Sequence, residues 1–171
     1  MKGEPRESRK LKKSLWSPKR VARIAILIAL GTVGAFIKIP SPTGTVALDS
    51  AAGFFTAAAF GPFDGGIVSG LGHLFTAATT GFPLGLPMHL YIALQMVVWA
   101  IVFWFLVTRV NVWVGVVVAI FCNGVISAAL LIPFGGFGMF VAMLLPLLVG
   151  SAVNLIVAAL AYKIVKKSNL V

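Results

Sequence analysis

The feature that most constrains this chain is an almost uninterrupted apolar stretch over residues 21–164. Hydrophobic residues make up 60% of the 171-residue chain, and charged residues only 11%. A soluble domain of this size could not bury so much apolar surface, so the chain is predicted to be a polytopic membrane protein. One span needs about 20 apolar residues, and the stretch holds roughly six or seven such lengths before loops are subtracted. A single compact membrane domain, residues 19–165, is therefore expected.

Breaks in this stretch divide it into six predicted spans. Segments rich in glycine and proline, which favour loops, separate most of them, and Arg109 follows the fourth. The predicted spans cover residues 20–39, 51–63, 67–80, 88–107, 110–131 and 140–162. The predicted fold class is an all-α membrane protein with six transmembrane helices.

Basic residues are concentrated at the two ends of the chain. Most of the 14 lysines and arginines precede Ile24, and the net charge is +10. With six spans, both termini and Arg109 lie on one side, which the positive-inside rule identifies as cytoplasmic. Residues 1–18 are predicted to be a basic cytoplasmic tail in weak contact with anionic lipid, and residues 166–171 a C-terminal tail. Membrane topology thus explains the charge, and no nucleic-acid partner is expected.

Residues 40–90 interrupt apolar sequence with glycine, proline and histidine. Such interruptions persist at membrane depth only where backbone packs against protein or lines a cavity, so they point to a binding site. The runs GTVALDSAAGFFTAAAFGP, GGIVSGLGHL and GFPLGLPMHL resemble the substrate-binding S component of energy-coupling-factor (ECF) vitamin transporters. Within that family they look most like the members assigned to alpha-ribazole, the nucleoside of the cobalamin lower loop. The resemblance covers residues 20–162.

The resemblance implies a multi-pass protein of the bacterial cytoplasmic membrane that captures a vitamin for import. Energy would come from partners, a membrane coupling subunit and two ATP-hydrolysing subunits, and the chain itself contains no P-loop motif. In S components a small-residue motif on the first helix docks onto the coupling subunit. Ala25 and Ala29 match that AxxxA pattern, with Ala22 as a flanking candidate. Ordinary packing of these alanines inside the bundle is the alternative.

Polar residues of the predicted spans are the candidates for the binding site: His73, Gln95, Asn123, Ser127 and Asn154, with His89 and Tyr91 nearer the surface. On the fourth span, Tyr91, Gln95 and Trp99 share one face at about 100° per residue. An amide in hydrocarbon is costly unless it is paired. The three amides are therefore expected to bond either a ligand or groups on neighbouring helices.

Two residues outside the spans complete the candidate set. Asp49 stands where a helix N-cap would stand, immediately before the second span. Phe82 lies near the tip of a loop rich in glycine and proline. Both are candidates to contact a ligand that enters from outside.

Amides and aromatic rings without nearby charge suit a flat, largely neutral heteroaromatic ligand with hydroxyl groups. A carboxylate such as pantothenate would favour a cation near the outer face, where only Lys38 is available. This chemistry agrees with alpha-ribazole, and an uncharged pyridoxine or a thiazole-like vitamin would meet the same criteria. The predicted function is binding of a neutral vitamin or vitamin precursor for import, with no enzymatic activity, cofactor or metal site.

A haem- or quinone-binding protein is the alternative outside transport. His73 and His89 come from neighbouring helices and could in principle ligate a haem. The predicted topology, however, places the two histidines at different depths. A catalytic carboxylate pair is disfavoured because Asp49 and Asp64 fall on opposite sides of the membrane.

Overall fold

The computed structural model describes residues 16–168, where the regular structure is helical apart from one isolated β-bridge between Lys38 and Ala47. The helices are α1 (Pro18–Gly34), α2 (Ala51–Phe60), α3 (Pro62–Thr79), α4 (Leu86–Arg109), α5 (Val112–Ile120), α6 (Ser127–Ala129) and α7 (Ile132–Lys167). A π-helix over Phe121–Ile126 joins α5 to α6. The all-α fold class is confirmed. Residues 1–15 and 169–171, which belong to the two predicted tails, lie outside the described residues.

Three described helical segments are long and apolar enough to cross a membrane: Leu86–Arg109, Val112–Ala129 and Ile132–Lys167. The segment Ala51–Phe60 is apolar but has only 10 residues, about half the length of a typical span. These helices support a protein embedded in a membrane. Six spans with cytoplasmic ends stay a prediction.

Local sequence explains where several helices begin. Ser17 caps α1 by accepting a bond from the Arg20 amide at 3.3 Å. Asn111 caps α5, since its Oδ1 accepts from the amides of Trp113 and Val114, each at 2.9 Å. Such oxygens satisfy amide groups that have no partner within the helix.

Two segments predicted as loops contain helical residues. Asp64, in a predicted turn, lies in the first turn of α3, which begins at Pro62. Proline suits the first helical position, and an acidic side chain there is favoured by the helix dipole. Residues 132–138, which were predicted as a loop, begin with a short helical stretch that meets the rest of α7 at a kink, because Gly136 has non-helical geometry with a φ of 68°.

The first predicted span is shorter than expected. It was predicted over residues 20–39, but α1 ends at Gly34 and the chain then turns back on itself. The Ile39 amide donates to the Val46 carbonyl at 2.9 Å, and the Leu48 amide donates to the Ile37 carbonyl at 3.1 Å. Pro40 favours an extended conformation of the preceding residue, which fits this arrangement. The segment that follows forms one wall of the site described below.

The short helix α2 lies at the centre of the bundle, where it packs against α3, α4 and α7. Its side chains are apolar or small on almost every side, as expected for a fully surrounded helix. The Phe54 ring meets the Phe103 ring of α4 edge-on, with centroids 5.6 Å apart. This packing holds the beginning of α2 between α4 and α7.

A buried ion pair joins α1 to α3. The Asp64 side chain is 2% exposed and accepts bonds from Arg20 Nε at 2.7 Å and from an Arg23 terminal nitrogen at 2.6 Å. The Arg23 guanidinium also lies over the Phe60 ring, 3.8 Å from its centroid. Two cations therefore share one carboxylate at the N-terminal end of α1.

Candidate functional site

A cavity of about 80 Å³ lies between α3, α4, the π-helix, α6, α7 and the loop before α2. Six predicted site residues line it: Asp49, His73, Gln95, Asn123, Ser127 and Asn154. The apolar part of the wall is formed by Leu84, Ile92, Met96, Leu131, Met143 and Leu147. A mostly apolar wall with a few convergent polar groups is typical of small-molecule sites.

The loop before α2 approaches α1 very closely. A Cβ atom on Gly34 would overlap the Leu48 carbonyl oxygen, and one on Gly31 would lie 2.9 Å from the Asp49 carbonyl oxygen. Only glycine lets the backbone approach this closely without a shift of the loop. The two glycines thereby position the cavity wall that contains Asp49.

Asp49 lies in this loop, and the prediction that it caps α2 is wrong. Ser50 occupies the cap position and makes no side-chain capping bond, while the Ala51 amide donates to Asn154 Oδ1 at 2.8 Å. Asp49 is instead one of the residues that line the cavity. Burial raises its pKa from 3.8 to about 6, and the Thr76 hydroxyl acts in the opposite direction.

Asn154 on α7 holds the loop and the start of α2 together. Its Nδ2 donates to the carbonyls of Ala47 at 2.9 Å and Gly150 at 2.8 Å, in addition to the bond between its Oδ1 and Ala51. The side chain is 2% exposed. Because both amide atoms already bond backbone groups, Asn154 shapes the cavity wall.

We expect Asn154→Ala to lower the free energy of unfolding by about 1–3 kcal/mol, because it leaves buried backbone groups unpaired. Unfolding in detergent by heat or by denaturant measures the effect. Asn123→Ala is the comparison and should cost less, since among residues 16–168 the side chain of Asn123 makes one bond, to Ser151. Equal stability of Asn154→Ala and the wild type would contradict this role.

Two further polar pairs cross between elements around the cavity. Asn123 Nδ2 on the π-helix donates to Ser151 Oγ on α7 at 2.9 Å. Trp99 Nε1 on α4 donates to Ser127 Oγ on α6 at 2.8 Å. A π-helix is rare, and such segments are often found at functional sites. These pairs match the expected alternative of bonding across helices, and they place Trp99 behind Ser127.

Gln95 differs from the other two amides. Its side chain is 6% exposed and lines the cavity, yet neither Oε1 nor Nε2 has a hydrogen-bond partner among residues 16–168. A buried amide without partners is costly. Gln95 is thus the polar group of the cavity wall that is best suited to bond a ligand.

His73 and His89 lie side by side, so the prediction that they lie at different depths is wrong. His73 Nε2 and His89 Nδ1 are 3.2 Å apart, and the ring centroids are 5.3 Å apart. The short connection between α3 and α4 places the end of one helix beside the start of the next. A haem held by both histidines would need its ring plane between the two nitrogens, and their hydrogen-bond contact leaves no room for it.

Three predicted site residues lie behind or beside the cavity wall: Phe82, His89 and Tyr91. The Phe82 ring packs edge-on against His89, with centroids 5.6 Å apart, and His89 in turn contacts His73. Tyr91 packs against Phe134, with ring centroids also 5.6 Å apart. The expected face of Tyr91, Gln95 and Trp99 therefore presents only Gln95 to the cavity.

The loop before α2 falls within the stretch predicted to form a binding site, but Thr45, Val46 and Ala47, which line the cavity, were not among the predicted site residues. These residues have no catalytic or metal-binding character, so their types alone give little signal. The available signal was the pair Gly31 and Gly34 near the end of the first span, which permits a close backbone approach.

Residues 19–166 match the family model described as "ECF transporter, substrate-specific component". The chain belongs to this family. No curated protein matches the chain. The solved structure described as "Structure and mechanism of the S component of a bacterial ECF transporter" is 18% identical and has a TM-score of 0.62. The similarity covers 89% of this chain and 95% of that chain, and it shows the shared fold.

The alanines predicted to dock this S component onto its coupling subunit lie on the outside of the bundle. Ala22, Ala25 and Ala29 are all exposed on α1. Ala25 and Ala29 also line a surface groove of about 480 Å³, together with Thr32, Val33 and Phe36 of the α1 side and Phe75 of α3. Packing inside the bundle, the alternative use of these alanines, does not match their exposure.

Proposed function

We propose that this S component binds a neutral vitamin or vitamin precursor in the cavity beside Gln95, and alpha-ribazole is the substrate that we favour. The buried, unpaired amide of Gln95 carries the proposal. An amide offers both a donor and an acceptor, which suits a heterocyclic nitrogen or a hydroxyl group. The Asp49 carboxyl on the opposite loop offers further acceptors for the hydroxyls of a ribose.

The apolar wall of the cavity suits a flat aromatic ligand. Methionine and aliphatic side chains form this wall, whereas aromatic side chains on α4 were expected. Met96 and Met143 line the cavity with Ile92 and Leu147, and methionine sulfur makes favourable contacts with aromatic rings. Thus the ring system of the ligand is held by thioether and aliphatic groups. The aromatic Trp99 supports Ser127 from behind.

The cavity must expand to admit such a ligand. Its volume of about 80 Å³ is well below the roughly 300–1,000 Å³ of typical small-molecule sites. The loop between α3 and α4 contains Gly81, Phe82 and Gly85, all with positive φ, and Leu84 from the same loop lines the cavity. We propose that movement of this loop opens the site.

Titration calorimetry of the purified protein with alpha-ribazole tests the proposed function. Pantothenate, pyridoxine and a thiazole vitamin precursor serve as the competing ligands. Saturable binding of alpha-ribazole with the highest affinity of the set supports the proposal. Tighter binding of another vitamin assigns the chain to that substrate, and a visible absorption band of bound haem would overturn the transport proposal.

We expect alpha-ribazole to bind about three- to tenfold more weakly at pH 5 than at pH 7.5, because protonation of Asp49 removes a charge-assisted bond to the ligand. The pKa of about 6 lies between these two values. Asp49→Asn should abolish this dependence. Equal pH dependence in Asp49→Asn would show that another group titrates.

The stability of the ligand-free protein should change in the opposite direction. Because the folded-state pKa of Asp49 is raised above its ordinary value of 3.8, ionisation of Asp49 disfavours the folded state. Its contribution to stability should therefore rise as the pH falls from about 7 towards 4. A loss of affinity at pH 5 without a loss of stability separates ligand binding from unfolding.

The proposed partners are the coupling subunit and the two ATP-hydrolysing subunits, and the docking surface is the α1 face with Ala25 and Ala29. Replacing both alanines with leucine should strongly reduce co-purification with the coupling subunit, because close helix approach requires small residues. Substrate affinity should stay within about twofold, since the face lies outside the cavity. Ala78→Leu with Ala142→Leu is the matched control, because both alanines are exposed on other helices. Loss of substrate binding with intact docking would contradict the assignment.

A further inference from the structure

A second concave surface lies on the outside of the bundle between α3 and α4. This groove has a volume of about 650 Å³ and is formed by apolar side chains and glycine. It runs from Pro62 at the start of α3 to Leu74, a distance of about 18 Å at 1.5 Å per residue. That length is comparable with one leaflet of a hydrocarbon core about 30 Å thick.

Close packing of α3 against α4 forms the floor of the groove. A Cβ atom on Gly66 would lie 3.2 Å from Val97 Cγ1, and one on Gly70 would lie 2.9 Å from Val97 Cγ2. Larger exposed side chains, Leu71 and Leu94 among them, stand at the sides. The result is an apolar groove that is open to the surroundings.

One end of the groove is positively charged. Trp16 and Phe63 line that end, and the Arg20 guanidinium carbon lies 5.5 Å and 5.1 Å from their ring centroids. Arg20 and Arg23 contribute two positive charges and Asp64 one negative charge, so these three described side chains together are positive. Lys19, which precedes Arg20 in α1 and is exposed, adds another positive charge to the first turn of this helix.

We propose that this groove binds an anionic phospholipid, with one acyl chain in the groove and the phosphate beside Lys19 and Arg20. The groove is apolar and therefore needs no hydrogen bonds from its occupant. An acyl chain meets this condition. The cationic end complements a phosphate, and attraction between basic residues and anionic lipids is a general feature of membrane surfaces. Trp16 lies at the junction of the two regions, as tryptophan does at membrane interfaces.

Native mass spectrometry of the delipidated full chain tests this site with phosphatidylglycerol and phosphatidylcholine of identical acyl chains. We expect one phosphatidylglycerol per chain to bind more tightly than phosphatidylcholine. Arg20→Gln should weaken that binding roughly tenfold, as for the loss of one charge-assisted bond, whereas Arg109→Gln should not. Arg109 is the matched control because it is an exposed arginine at the end of α4.

A second variant tests the acyl-chain part of the site independently of the ion pair. Leu74→Trp should fill the far end of the groove and weaken binding of phosphatidylglycerol, while Leu145→Trp, at an exposed position of α7, should not. Equal binding of the two lipids, or equal effects of Arg20→Gln and Arg109→Gln, would overturn the proposal. Binding of inorganic phosphate that displaces phosphatidylglycerol, with no effect of Leu74→Trp, would also overturn it and indicate a site for free phosphate.

Discussion

Asp64→Leu should lower the free energy of unfolding by about 3 kcal/mol, because it leaves two arginines close together without their shared carboxylate. This value lies at the lower end of the range for broken buried ion pairs, since the Arg23 side chain is 36% exposed and partly solvated. The bonds from Arg20 and Arg23 connect α1 to α3, so α1 should detach first. Denaturant unfolding in detergent measures the loss, and protease sensitivity of α1 locates it.

Two control variants distinguish the ion pair from a general effect of removing an acid. Asp49→Asn removes a carboxylate whose ionisation disfavours the folded state, so it should not destabilise the protein. Replacing Asp64, Arg20 and Arg23 together by leucine should recover part of the lost stability, because the two neighbouring positive charges are removed with the carboxylate. If the triple variant is less stable than Asp64→Leu, packing rather than charge explains the effect.

Gln95→Leu should weaken binding of alpha-ribazole by roughly tenfold to a hundredfold, since two ligand hydrogen bonds are lost. Leucine has a similar volume and does not leave an unpaired polar group in the wall. The ligand-free protein should therefore be as stable as the wild type or more stable. Calorimetry and thermal unfolding of the same preparation measure the two quantities.

Asn154→Leu provides the contrast, because its amide bonds backbone in the absence of any ligand. Asn154→Leu should be less stable than the wild type, and its loss of ligand affinity should follow from displacement of the loop over residues 45–50. Unchanged affinity in Gln95→Leu would contradict the proposed contact and move the search to Asp49 and His73. The two variants thus separate a ligand contact from a structural amide.

The sequence was sufficient to predict a helical membrane protein and its family. The uninterrupted apolar stretch has few physical alternatives, and the motifs around Asp49 and His73 match a known pattern. Helix ends were harder to predict, because a single residue decides them. Pro62 starts α3 earlier than expected, and at Gly136 two helical stretches of α7 meet at a kink.

The candidate site could be predicted as a set of polar residues but not as an arrangement. Gln95, Asn123 and Asn154 look alike in the sequence, and only their partners distinguish an unpaired amide from amides that bond serine or backbone. Likewise, the contact between His73 and His89 depends on how tightly α3 and α4 are connected. Neighbours in space decide these roles, and no spacing along the chain encodes them directly.

The three bonds of Asn154 also make one side of the cavity harder to displace than the other. Displacing the loop over residues 45–50 requires breaking the bonds to Ala47 and Ala51, or moving α2 and α7 with it. The loop between α3 and α4 has no such tie to α7 among the described contacts, and its bonds, such as that from the Gly85 amide to the Phe82 carbonyl, are local. We therefore expect the substrate to enter past Phe82 and Leu84. The loop over residues 45–50, which contains Asp49, should stay in place and form the surface that the substrate binds.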